Sequence, residues 1–462
     1  MNSKRISRAG PGPARIVFRL SGVAAALWLA AAPLPLFAQS PSIARTSAVA
    51  AGSARAPVVY DSAADISEFY RARGGQLLWL TPQSGEAARR MIGLLNGSAI
   101  DRLDPRRYQV ERIANALRAA STGNPRALSI ADTMLSQAFA QYVRDLRREP
   151  NVGIVYVDRD LVPTQPSARH VLDRAAAAPS LETYVDTMAW MNPAYAQLRR
   201  ALLLSQGNPD EKARLAVNLE RAAALPTGNQ RYVIVNIAAQ KLYMVENNAV
   251  VDTMRVVVGK TKYPTPMMSA WIRAAALNPY WNVPPDLAAE RIAPNVVKQG
   301  VAYLKSVGYE VLSDWSDHAT VVDPTTVDWP AVVDGRVEVR IRQQPGPHNS
   351  LGKMKFVFPN AQGIFLHDTP ERELLSEASR LYSGGCIRLE DAQRLGRWMF
   401  GHDLEKNGDA PEQIVPMPDK IPLYVTYLTA APDGSGISYF DDVYGRDAAR
   451  VAALGGGNVA SR

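Results

Sequence analysis

Near residue 228 of this 462-residue chain the hydrophobic period changes from three-or-four to two, so the two halves cannot build the same kind of layer. From Ile66 to Ala224 the pattern is mostly helical. Ala131 to Arg148, for example, carries Met134, Leu135, Ala138, Phe139, Tyr142 and Leu146 at spacings of three and four, a stripe read as core. After Leu225-Pro226-Thr227-Gly228-Asn229, three strands are predicted at Tyr232 to Asn236, Lys241 to Val245 and Val250 to Val258, with Glu246-Asn247-Asn248 turning the chain between the last two. Further strands are predicted at Val337 to Ile341, Ile364 to Leu366 and Pro422 to Tyr427. The fold class is therefore α+β: a helical domain over 58–225, then a mainly β domain over 229–447.

Two stretches interrupt this plan. Pro284-Pro285 opens a helical segment over about 286–298, and the chain from Tyr303 to Trp329 continues it, so a helical cap is expected as an insertion at about 285–334. From Leu454-Gly455-Gly456-Gly457 onward the chain is too rich in glycine to pack, and 448–462 is expected to be a disordered tail.

At the other end Lys4, Arg5, Arg8, Arg15 and Arg19 precede an apolar run from Gly22 to Phe37. This reads as an export signal over 1–38, cut after Ala38, with the Ala-, Ser- and Pro-rich stretch 39–57 as a flexible tether. Retention of the run as an uncut anchor is the alternative, and contact with a membrane is expected only then. Without the leader the net charge falls from +8 to +3, since the leader contributes five positive charges and no negative one. So small an excess, with no zinc-finger spacing and no arginine-rich tract, argues against nucleic acid as a partner.

An exported chain makes its cysteine count informative, because an oxidising compartment pairs thiols and penalises stray ones. This chain has one, Cys386, which can form no intramolecular disulfide. On the count alone, packing and chemistry are both open. Gly384 and Gly385 tilt the balance, because they add no side chain to pack and allow backbone amides to approach a ligand. His367 lies 19 positions upstream and supplies a base. Asp368 beside it does not make a metal pair, for no third ligand stands at a suitable spacing.

The stretches Phe365-Leu366-His367-Asp368-Thr369-Pro370 and Ser383-Gly384-Gly385-Cys386-Ile387-Arg388 resemble the L,D-transpeptidases of bacterial cell walls, with their YkuD-type catalytic fold. Tyr263-Pro264-Thr265-Pro266-Met267-Met268, Asn278 to Pro285 and Gly346 to Gly352 extend the likeness over roughly 229–447. It is closest to the large, YcbB-like branch, because Gly384 stands where many relatives carry histidine. The helical half more loosely resembles that family's scaffold domain, in Glu68-Phe69-Tyr70, Leu78-Trp79 and Asn218 to Arg221. No self-contained wall-binding module is found in it.

The resemblance implies a thioester mechanism without metal or cofactor. Cys386 is the nucleophile and His367 the general base, oriented by a backbone carbonyl, that of Asp368. Gly385 supplies an oxyanion amide. Arg388, Trp281, Phe365, Asn349 and Ser383 are carried as substrate-binding candidates. For Arg388 a loop-pinning role stays equally open, Trp281 can be plain core, and Ser383 reads first as a turn cap. His348 and His402 are read as structural. The implied partners are peptidoglycan stem peptides, as acyl donor and acceptor, in the periplasm, and the implied product is a 3-3 crosslink. Carbapenems are the expected covalent inhibitors. Competing readings are hydrolysis at the same site, as an L,D-carboxypeptidase or crosslink hydrolase, and a non-catalytic wall-binding scaffold. A papain-like amidase fits less well, since there the cysteine precedes its histidine.

Overall fold

The computed structural model describes residues 62–455 other than 207, 229 and 435; the signal and tether read into 1–57 lie outside the described residues. The first domain packs α1 (Ser62–Ala72), α2 (Ala87–Asn96), α3 (Val110–Ala120), α4 (Pro125–Leu146), α5 (Ala168–Ala176), α6 (Leu181–Asp186), α7 (Pro193–Leu204) and α8 (Pro209–Ala222). Three of these helices begin Asn-Pro. The side chains of Asn124, Asn192 and Asn208 accept first-turn amides, and the proline after each gives up an N–H that would have lacked a helical partner.

The α4 stripe is the centre of this domain. Phe139 meets Trp79 and Trp190 edge-on, with ring centroids 5.2 and 5.1 Å apart. Two turns earlier, buried Asp132 accepts the amides of Leu78, Trp79 and Leu80 at 2.7–2.9 Å and the Tyr70 hydroxyl at 2.5 Å. That carboxylate holds the loop carrying Trp79 against the helix.

The second domain is a closed sheet. Between α4 and α5 lies β1 (Val155–Tyr156), and after α8 come β2 (Tyr232–Asn236), β3 (Lys241–Glu246), β4 (Ala249–Gly259) and β5 (Met268–Leu277). The cap contributes β6 (Trp281–Val283), β7 (Tyr309–Leu312), β8 (Val321–Val322) and β9 (Arg340–Gln343). Beyond the cap are β10 (Met354–Val357), β11 (Leu366–His367), β12 (Leu381–Ser383), β13 (Ile387–Leu389) and β14 (Gln413–Thr426). Hydrogen bonding runs β5-β10-β11-β13-β4-β3-β2-β14 and returns from β14 to β5. The long β14 closes the ring by shifting register between Pro416 and Ile421, where prolines withdraw donors from the ladder. Asn247 and Asn248 turn β3 into β4 with φ of 51° and 63°, the left-handed pair a two-residue hairpin demands.

Two predicted strands shift. The amides of Arg336 and Val337 bond to the carbonyl of Ala331, so the strand predicted at 337–341 starts at Arg340. The Ile364 amide is taken by the Asn360 side chain, so pairing there begins at Leu366.

The cap contains helices, as read from sequence, in α9 (Pro285–Leu287), a π-turn over Ala288–Ile292, α10 (Ala293–Gln299), α11 (Ala302–Ser306) and α12 (Trp329–Val333). It also carries its own four-stranded sheet, β6-β9-β7-β8. Val283, Leu287, Ile292, Val311, Trp329 and Ile341 form a separate small core there.

Past the cap, α13 (Ala392–Phe400) packs on the barrel, and α14 (Arg446–Gly455) occupies part of the span expected as tail from 448. Its register is held because Asp447 pairs with Arg221 and Arg450 bonds Glu220 at 2.8 Å, both partners on α8. Residues 456–462 lie outside the described residues. A second tie joins the domains where β1 pairs with β5, Val155 opposite Met268.

Candidate active site

Alternation along three neighbouring strands builds the site. Opposite residues on paired strands share a face, and Phe356, Leu366 and Ile387 form one row, fully buried in the barrel. The next row, Lys355, His367 and Arg388, must then point to the other face. Cys386 lies two residues before Arg388 and shares that face, at the mouth of β13. His367 and Cys386 are thus brought together by the parallel pairing of β11 with β13, anchored by the Ile387 amide on the Phe365 carbonyl at 2.9 Å.

His367 is buried, and its Nδ1 lies 2.6 Å from the carbonyl of Asp368. A carbonyl only accepts, so Nδ1 carries the proton and the neutral ring leaves Nε2 as a base. Burial is the main reason the imidazolium is disfavoured, with the charge of Arg388 next; the Asp368 carbonyl pulls the other way, and the pKa comes down to about 3. The carboxylate of Asp368 is turned away, to the Lys353 amide at 2.8 Å and Arg372 at 2.7 Å.

Cys386 is half-buried, and its thiol donates to the Gly363 carbonyl at 3.6 Å. The dense surroundings push its pKa up, while a backbone hydrogen bond from Phe365 and the charges of Arg388 and Lys355 act in the opposite sense. The resting pair is accordingly a thiol beside a neutral imidazole.

The cysteine loop is braced from both sides. Ser383 Oγ donates to the Cys386 carbonyl at 2.5 Å and accepts the Gly385 amide at 3.1 Å, so Ser383 caps the turn. The amide assigned to the oxyanion is therefore engaged within the loop in this conformation. Thr265, from the Tyr263 to Met268 stretch, donates to the Gly385 carbonyl at 2.8 Å and accepts the Gly259 amide at 2.9 Å. Gly385 has φ of +114°, a region that L side chains rarely adopt, which fixes glycine there.

The remaining candidates separate clearly. Arg388 is buried and paired with Glu371, whose carboxylate is half-exposed. Phe365 is half-buried, with Lys355 Nζ 5.4 Å from its ring centroid. Trp281 packs into the cap core beside Tyr309, centroids 6.3 Å apart. Asn349 is buried, its amide donates to the carbonyls of Pro279 and Gln344 at 2.9 and 3.0 Å, and its oxygen accepts the Leu351 amide at 2.8 Å. These bonds tighten the turn after β9.

Two groups escaped the sequence reading. Lys355 is mostly buried and bonds Glu412 at 2.9 Å; its lysine-aromatic alternation, Lys355-Phe356, was the available signal. Glu290 of the cap binds Lys262 at 2.7 Å and the hydroxyl of Tyr263, tying the cap to the loop that braces Gly385.

A family model described as the L,D-transpeptidase catalytic domain, YkuD, matches residues 230–400, and one described as a scaffold domain matches 64–202. A protein named "Putative L,D-transpeptidase" from Haemophilus influenzae is 27% identical over 335 residues, 69% of this chain. The chain spans 66% of that relative's length. Among solved structures, an L,D-transpeptidase from Mycobacterium smegmatis is 16% identical, with a TM-score of 0.21 over 43% of this chain and 59% of that one. The L,D-transpeptidase LdtMt1 in complex with imipenem is likewise 16% identical, with a TM-score of 0.20 over 43% and 60%.

Proposed function

Because residues 230–400 belong to the YkuD family of L,D-transpeptidase catalytic domains, we propose that this chain joins peptidoglycan stem peptides by 3-3 crosslinks through a thioester on Cys386. The observation that carries the reading is the shared face of Cys386 and His367, with His367 Nδ1 committed to a carbonyl so that Nε2 is the free base.

In the proposed cycle His367 takes the thiol proton as sulfur attacks the donor carbonyl, which belongs to a diaminopimelate residue. The tetrahedral intermediate collapses, the C–N bond breaks, and D-alanine leaves with the proton returned by the imidazole. The side-chain amine of a second stem peptide then attacks the thioester, gives its proton to His367 and releases the thiol. Charge separates only during each transfer, because the resting groups are both neutral. Arg388 can offer its guanidinium to a substrate carboxylate in exchange for Glu371, whose half-exposed side chain leaves that exchange open to solvent. The proposed setting is the periplasm, reached through the leader read into 1–38, and the proposed branch is the YcbB-like one.

The test is mass spectrometry of products from purified disaccharide-tetrapeptides. Crosslinked dimers are expected, and tripeptides alone would replace the reading with hydrolysis by the same pair. His367→Ala should lower turnover by roughly 10²–10⁴-fold without loss of fold. Full activity in that variant removes His367 as the base.

A further inference from the structure

Resting on the reading of Cys386 as nucleophile, we propose that Lys355 is a positioning residue which sets the proton affinity of the thiol and so governs how readily the thiolate forms. The placement is dictated by register. Lys355 on β10 stands directly opposite His367 on β11, which stands opposite Arg388 on β13, so three basic side chains cross the sheet in one row. A lysine in such a row would ordinarily reach for water. This one is 8% exposed, and its ammonium lies 5.4 Å from the Phe365 ring centroid and 2.9 Å from Glu412. Phe365 is the residue that register sets beside Cys386, since Leu366 pairs with Ile387.

The ammonium is a fixed positive charge in a poorly hydrated site, where its field is weakly screened. Thiolate formation places a negative charge on the same face, and Lys355 is one of two cations, with Arg388, that favour it. The same two charges oppose the imidazolium. Their combined effect is to favour the thiolate while disfavouring the imidazolium, so Nε2 is unprotonated at rest and holds the thiol proton only in passing.

Of the other charges near the thiol, only Arg388 acts in the same sense. It pairs with Glu371, whose side chain is half-exposed, whereas Lys355 pairs with the less exposed Glu412; the Asp368 carboxylate is engaged by Lys353 and Arg372. Lys260, Lys262 and Glu290 form an exposed cluster at the cap, screened by solvent, and Arg291 reaches the Tyr382 carbonyl at 3.5 Å. Glu412 holds Lys355 in place from the far side, where it also accepts the Tyr280 amide at 2.7 Å.

Cys386 is the sole cysteine, so the rate of iodoacetamide alkylation reports on it alone. The pH profile of that rate is to be measured on the full chain for wild type, Lys355→Met, Lys355→Arg and Glu412→Gln, each checked by thermal melting. Lys355→Met should move the midpoint up by roughly 0.5–1 pH unit. Lys355→Arg should restore most of the wild-type profile, which a packing role would not do. Glu412→Gln keeps an acceptor for Tyr280 while removing the opposing charge, and should move the midpoint down. An unchanged profile in folded Lys355→Met overturns the proposal. Where Lys355→Met fails to fold, an unchanged or raised midpoint in Glu412→Gln overturns it instead. Crosslinking is assayed separately: shifted alkylation without crosslinked product would sink transpeptidation and leave the role of Lys355 standing.

Discussion

A Cβ placed on Gly384 would stand 2.8 Å from Cδ1 of Leu287, so the cap rests directly on the loop that carries Cys386. Leu287 is itself part of the cap core, which couples that small core to the cysteine turn. The Gly384 backbone lies outside the left-handed region, so only this contact opposes a side chain there.

Gly384→Val should therefore lift the cap rather than unfold the barrel. Trypsin should cut faster at Lys298 and Lys305, and stability should fall by about 1–3 kcal/mol. Leu287→Ala in the same chain should recover part of the loss, with a coupling of about 1 kcal/mol in a double-mutant cycle. Additive effects of the two changes would mean that cap and loop are not in contact.

A strained lactam presents the proposed nucleophile with a carbonyl it can open. Incubation with a carbapenem should add one drug mass to the chain, and Cys386→Ala should abolish the adduct. An adduct that survives in Cys386→Ala would assign the nucleophile elsewhere.

In the helical domain, the Asp132 carboxylate accepts three consecutive backbone amides and also a tyrosine hydroxyl. Asp132→Ala takes the acceptor from the three backbone amides, while the Tyr70 hydroxyl keeps Ser136 Oγ at 2.7 Å, at a cost of at least about 3 kcal/mol. Denaturant unfolding should show the midpoint falling at unchanged slope, and a loss under about 1 kcal/mol would mean that water replaces the carboxylate.

What could be read in advance was local. Asn247-Asn248 announces its hairpin because asparagine tolerates positive φ, and the Asn-Pro pairs announce helix starts because they satisfy a first turn. The pairing of His367 with Cys386 was legible because both lie in short, specific motifs. What escaped depends on partners far away in the chain. The burial of Asn349 is set by the carbonyl of Pro279, 70 residues back, and the ammonium of Lys355 by Glu412, 57 residues on. The cap sheet needs β6 and β9 to meet across the whole insertion; the strand expected at 337–341 foreshadowed β9, but β6 has three residues and too little alternation to declare itself. α14 holds its helical form through Arg221 and Glu220 on α8, contacts invisible in a glycine-rich tail.

The buried imidazole makes a prediction about acid stability. In the fold, His367 stays neutral down to about pH 3, chiefly because burial strips water from the imidazolium and the Arg388 charge repels it. In the unfolded chain the same ring takes up a proton below its ordinary 6.5. Between those two values the unfolded state binds more protons, so this residue destabilises the fold progressively as pH falls through the window, and contributes no such penalty above 6.5. The slope approaches about 1.4 kcal/mol per pH unit within the window. His367→Gln cannot take up that proton and should lose stability less steeply on acidification, so that its unfolding free energy gains on wild type between pH 6.5 and 3. Parallel stability curves for the two proteins across that range would mean that His367 is protonated in the fold as readily as in the unfolded chain.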